Sequence, residues 1–89
     1  MASYRLLIKP SAAKEIEASP RKDRLRIIKR IQELANNPRP PGCEKLSGDY
    51  DKYRVRQGAY RIVYAISDVD LTVCVVKVGH RREVYRKGT

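Results

Sequence analysis

From Tyr53 onward, apolar and polar positions alternate with a period of two. The run is Tyr53-Arg-Val-Arg, then Tyr60-Arg-Ile-Val-Tyr-Ala-Ile-Ser, then Leu71 to Val78. Alternation in a stretch rich in β-branched and aromatic residues predicts three successive strands joined as a meander. Gln57-Gly58 and Ser67-Asp68-Val69-Asp70 supply the two turns. Near the N-terminus Tyr4, Leu6 and Ile8 fall on one side of a further strand that Pro10 ends.

Between these strands the period lengthens. Ile27, Ile28, Ile31, Leu34 and Ala35 recur at three- and four-residue spacing and form one apolar stripe. This predicts a helix to about Asn36, with Ser19 as its N-cap and Pro20 in its first turn. Ser11 can cap a shorter helix over Ala12–Ala18. The segment Asn36-Asn37-Pro38-Arg39-Pro40-Pro41-Gly42 stops the long helix and reads as a stiff extended connection. The expected fold class is α+β, in the order β-α-α-β-β-β. A mainly antiparallel four-stranded sheet would carry both helices on one face, as one domain over residues 1–89.

The first hairpin decides what the other face carries. With Gln57-Gly58 as a two-residue loop, Arg56 lies opposite Ala59 and Arg54 opposite Arg61. All three arginines then share one face, while Tyr53, Val55, Tyr60, Ile62, Tyr64 and Ile66 share the helix-covered one. Like charges directly opposite on neighbouring strands cost up to about 1 kcal/mol. No acidic residue lies between Lys52 and Ser67, so these strands offer the cations no local partner. The cluster reads either as a solvated strand face or as a phosphate clamp, for which the planar guanidinium fork is suited.

The chain's charge bears on the class of partner. Twenty Lys and Arg against ten Asp and Glu give a net charge of +10, a field that attracts polyanions. Spanning a bilayer takes about 20 apolar residues, which the chain lacks, and no secretory leader pattern opens it. A soluble, cytoplasmic protein without membrane partners is expected. Cys43 and Cys74 with one histidine do not make a four-ligand zinc set, so no metal or other cofactor is implied.

The C-terminal segment holds Lys77, His80, Arg81, Arg82, Arg86 and Lys87, with Tyr85 among them. It reads as a frayed basic terminus or as a groove for single-stranded RNA, with phosphates on the cations and a base on the ring. Lys52, Lys77, Arg82, Arg86 and Lys87 are the expected RNA contacts. The cations of the long helix, Arg21, Lys22, Arg24, Arg26, Lys29 and Arg30, are expected to steer the partner from a distance.

Three strings, Tyr53-Arg-Val-Arg, Gly58-Ala-Tyr-Arg-Ile-Val-Tyr and Val78-Gly-His-Arg-Arg-Glu-Val-Tyr, in this order of elements resemble the RelE toxins of type II toxin–antitoxin systems. The resemblance covers nearly the whole chain. It implies a microbial-RNase-like toxin domain that cuts messenger RNA in the ribosomal A site and stops translation. The implied partners are the 70S ribosome, mRNA and a cognate antitoxin, held in a hetero-oligomeric toxin–antitoxin complex. Arg54 and Arg56 stand where RelE toxins commonly place two lysines, and Arg61, Arg81 and Tyr85 match an arginine, an arginine and a tyrosine of the family pattern. The chain is two residues shorter between His80 and Tyr85, which makes Arg82 a rival to Arg81.

Cleavage of this kind implies attack of a 2′-hydroxyl on the adjacent phosphate. It requires charge stabilisation, which arginine supplies, and a proton acceptor, which arginine is not. Histidine is the side chain whose free form titrates near neutrality, at about 6.5, so His80 is the candidate for proton transfer, or else a residue that only contacts phosphate or solvent. The implied catalytic set is therefore Arg54, Arg56, Arg61, His80, Arg81 and Tyr85. A ParE-like inhibitor of DNA gyrase and a noncatalytic nucleic-acid-binding module are the alternative readings.

Overall fold

The computed structural model describes residues 3–46 and 51–80. Among them the elements run β1 (Arg5–Ile8), α1 (Pro10–Ala18), α2 (Arg21–Asn36), β2 (Glu44–Lys45), β3 (Lys52–Gln57), β4 (Tyr60–Ser67) and β5 (Thr72–His80). The sheet is five-stranded and mixed, in the order β1-β5-β4-β3-β2, with β1 parallel to β5 and the other pairs antiparallel. This corrects the expected four strands and adds β2 to the element order. Two residues are too short to show a period, so β2 left no alternation in the sequence.

The helices cover one face of this sheet. Ile27, Ile31 and Leu34 of α2 and Ala12 and Ile16 of α1 are buried against Val55, Ile62, Tyr64, Ile66, Val73, Val75 and Val78. Each buried aliphatic side chain contributes about 1.5–3 kcal/mol, so the apolar stripe of α2 fixes which sheet face turns toward the helices. Ile28 falls at the margin of that stripe and is partly exposed. Ser19 serves α1 rather than α2, because its hydroxyl donates back to the Ile16 carbonyl and ends the first helix. Pro20 is the N-cap of α2.

Two irregularities set the faces. The β3–β4 loop is Gly58-Ala59, because Gln57 pairs with Tyr60. Gly58 takes φ +61°, the positive value that the first loop position of a type II′ hairpin requires and that Gln57 would bear at a cost. The register therefore moves by two, to Arg56 opposite Arg61 and Arg54 opposite Val63. A shift of two preserves the faces, so the arginines stay together.

The second irregularity lies in β5. Val63 pairs with Lys77 and Tyr64 with Val75, which leaves Val76 as an extra residue. Such a bulge reverses the alternation beyond it. Val73 and Val75 enter the core before it, and Val78 enters after it.

At the end of the sheet near β1, an ionic and aromatic network ties distant segments together. Arg39 donates to both carboxylate oxygens of Asp68, at 3.2 and 2.9 Å, and to the Tyr53 hydroxyl at 3.2 Å. Tyr4 donates to Asp68 Oδ1 at 2.7 Å, and Tyr64, fully buried, donates to the Pro38 carbonyl at 2.7 Å. These bonds anchor the proline-rich connection and so place β2 beside β3. No helix of the described residues is long and apolar enough to cross a membrane.

Candidate nucleic-acid interface

Arg54 and Arg56 of β3 and Arg61 of β4 lie on the sheet face away from the helices, as strand alternation requires. Arg56 and Arg61 are direct cross-strand neighbours. Arg56 is exposed, whereas Arg61 is only 5% exposed. Arg54 has the partner that the strand sequences did not offer: its Nη2 donates to Glu44 Oε1 at 2.9 Å, because β2 places Glu44 directly opposite. The neutralising carboxylate comes from the strand the sequence pattern missed.

Because β2 spans only two residues, no strand among the described residues pairs with the outer edge of β3 beyond Arg54. A cavity of about 280 Å³ opens there, lined among the described residues by Arg30, Gly42, Glu44, Val55, Arg56 and Arg61. Arg30 thus belongs to the cleft rather than to the distant field of α2. Its place depends on where the helix meets the sheet edge, which no sequence spacing records.

His80 is not brought to this face. It pairs with Tyr60, whose ring it meets edge-on with centroids 5.8 Å apart, and it lines a second cavity of about 190 Å³ with Glu15, Ala18 and Ser19 of the α1 end. The cause is the Val76 bulge, which puts Gly79 opposite Arg61 and turns His80 to the helix side. The register thus sets His80 apart from Arg54, Arg56 and Arg61.

The other expected contacts divide. Lys52 begins β3 on the arginine face, 3.9 Å from Asp51. Lys77 lies opposite Val63, but its ammonium is 2.8 Å from Glu15 Oε2, and Glu15 Oε1 accepts from the Val78 amide at 3.0 Å. Since β1 pairs with β5 only as far as Val75, Glu15 closes the strand edge beyond it and holds Lys77 there. Arg81, Arg82, Tyr85, Arg86 and Lys87 lie outside the described residues. Among those described, no group of three His, Cys, Asp or Glu side chains converges as a metal site.

The perturbed groups sit in the ionic network. Arg39, then Tyr4, holds the Asp68 carboxyl below the usual carboxylate range by hydrogen bonding. Asp68 in turn raises Arg39 and Tyr4, and burial raises Tyr64. These shifts favour the ion pair as drawn, with Asp68 charged.

The chain's relatives match this arrangement. Residues 6–85 match the family model of the ParE toxin of type II toxin–antitoxin systems. A putative RelE-like toxin protein of Escherichia coli is 30% identical over 80 residues, covering 88% of this chain and 83% of the relative. The isolated E. coli RelE toxin superposes with a TM-score of 0.78 at 31% identity, over 97% of this chain and 95% of the toxin. The RelE–RelB complex of Pyrococcus horikoshii gives 0.80 at 27% identity, over 89% and 96% of the two chains. With nearly the whole chain matched in sequence and in fold, the protein belongs to the ParE toxin family of type II toxin–antitoxin systems, within the RelE/ParE superfamily.

Proposed function

We propose that this toxin is an endoribonuclease that cuts messenger RNA on the 70S ribosome. The observation that carries the reading is the Arg56–Arg61 pair, two like charges held directly opposite on the sheet face away from the helices, one of them almost wholly buried. Like charges directly opposite on neighbouring strands repel each other. A phosphate bound across the pair reverses the sign, because a dianionic phosphorane is stabilised by two preorganised cations in a site partly closed to water. The 2′-oxygen attacks phosphorus and the bond to the 5′-oxygen breaks, leaving a 2′,3′-cyclic phosphate and a 5′-hydroxyl. Arg54 and Arg30 extend the cationic cleft along the strand to which the flanking phosphates bind. The RNA contacts assigned to Lys52, Arg82, Arg86 and Lys87 and the catalytic roles assigned to Arg81 and Tyr85 belong to the same reading, whereas Lys77 is engaged by Glu15. A cognate antitoxin is the natural inhibitor, since solved relatives include RelE–RelB complexes, and a +10 domain attracts an acidic one.

Incubating the toxin with translating ribosomes and mapping mRNA 5′ ends tests the reading. New ends within ribosome-covered codons are expected. The family model favours a second reading, protein-mediated inhibition of DNA gyrase in the manner of ParE toxins. Loss of supercoiling by purified gyrase, with mRNA left intact, would establish that reading instead.

A further inference from the structure

The proposed cleavage needs a group to take the proton from the attacking 2′-hydroxyl. Arginine is effectively never deprotonated, and His80 lies on the other side of the sheet with Tyr60 and the end of α1. The arginine cleft does hold one carboxylate among its described lining residues, that of Glu44.

Its geometry suits proton transfer. Glu44 lies opposite Arg54 in the β2–β3 ladder and so shares the face of Arg56 and Arg61. Arg54 Nη2 holds Oε1 at 2.9 Å, while Oε2 accepts no hydrogen bond among the described residues. The Glu44 side chain is 62% exposed, open to an incoming nucleotide, while that of Arg54 is 19% exposed and packed in place. The backbone carrying Glu44 is tied at both ends, by the Cys43 amide to the Pro40 carbonyl at 3.1 Å and the Leu46 amide to the Lys52 carbonyl at 3.0 Å.

We infer that Glu44 is the general base of the cleavage, with Arg54 as its positioning residue; the inference rests on the proposed endoribonuclease function. Glu44 Oε2 takes the 2′-hydroxyl proton as the 2′-oxygen bonds to phosphorus. The phosphorus–5′-oxygen bond breaks, and the leaving oxygen takes a proton from water. The hydroxide so formed removes the proton from Glu44 and restores the carboxylate. Arg56 and Arg61 carry the charge that develops on the non-bridging oxygens.

The contrasting role for Glu44 is an ion-pair partner that only neutralises Arg54. Single-turnover cleavage of mRNA on stalled ribosomes, followed across pH for wild type, Glu44→Gln and Glu44→Asp, separates the two. Glutamine keeps an oxygen for Arg54 but accepts no proton. The base role predicts a rate lower by about 10²- to 10⁴-fold, unchanged ribosome affinity, and loss of the acidic limb of the pH–rate profile. Glu44→Asp keeps that limb at a reduced rate, and it carries the test if thermal unfolding shows the glutamine variant to be misfolded. A Glu44→Gln rate within about twofold of wild type, or a retained acidic limb, overturns the assignment while leaving the nuclease reading in place. A wild-type toxin that cuts no mRNA overturns both.

Discussion

Arg56→Gln separates function from stability at the centre of the cleft. Arg56 is exposed and directly opposite Arg61, so the pairing sets a like charge across the ladder. Removing that charge while keeping most of the side-chain length should raise stability by about 0.2–1 kcal/mol, the range of cross-strand pair energies. For a domain of this size 1 kcal/mol corresponds to a Tm change of roughly 4–8 °C, so a rise of one to several degrees is expected. The repulsion is screened as the Debye length falls from about 10 Å at 0.1 M salt to about 3 Å at 1 M, so the gain should shrink with salt. Cleavage on the ribosome should fall by about 10²- to 10³-fold, the scale of losing one preorganised donor to developing negative charge. Arg61→Gln should behave differently. Its guanidinium is buried, so the shorter side chain leaves polar neighbours imperfectly paired and should cost about 1–3 kcal/mol along with activity. Thermal unfolding at low and high salt, paired with single-turnover cleavage, measures all of this. A lower Tm for Arg56→Gln, or a gain indifferent to salt, would show that the two arginines do not repel and would remove the argument that binding keeps them together.

Two further predictions concern the network that places β2. Tyr64→Phe should destabilise the fold by about 1–3 kcal/mol in urea unfolding with an unchanged m-value, because the buried Pro38 carbonyl loses its donor; a change below a few tenths of that would mean water replaces the hydroxyl. For Asp68 the folded-state pKa lies below the unfolded one, so its ion pair with Arg39 contributes stability above the ordinary carboxylate range and loses it as pH falls through the lowered value. The stability difference between wild type and Asp68→Asn should therefore be largest near neutrality and vanish between about pH 5 and pH 2; a difference constant over that range would contradict the assignment.

How legible this architecture was differs element by element. The stripe of α2 and the alternation of β3 and β4 were readable because each repeats often enough to show its period. The face shared by Arg54, Arg56 and Arg61 survived an error in the loop, since displacing a two-residue loop by one moves the register by two. The bulge that puts His80 opposite Tyr60 was not foreseen, yet it left a trace: core valines at 73, 75 and 78 break the period of two, and an extra residue at 76 restores it. The strand β2 left no such trace, and with it went Glu44. A carboxylate eight residues before Lys52 looks unrelated to the arginines until the chain turns back and pairs it with Arg54. The parallel pairing of β1 with β5 joins the two ends of the described chain, and local patterning carries no information about such a contact. Arg30 reached the cleft by helix placement alone.

The most direct measurement replaces a single nucleotide of the messenger. Where wild-type toxin cuts a ribosome-bound mRNA, a 2′-deoxynucleotide at the attacking position removes the nucleophile and leaves every phosphate for the arginines to bind. Cleavage at that site should disappear, toxin binding to the ribosome complex should persist, and the unmodified control should end in a cyclic phosphate and a 5′-hydroxyl. Continued cutting at the deoxy position would contradict the chemistry assigned to this cleft.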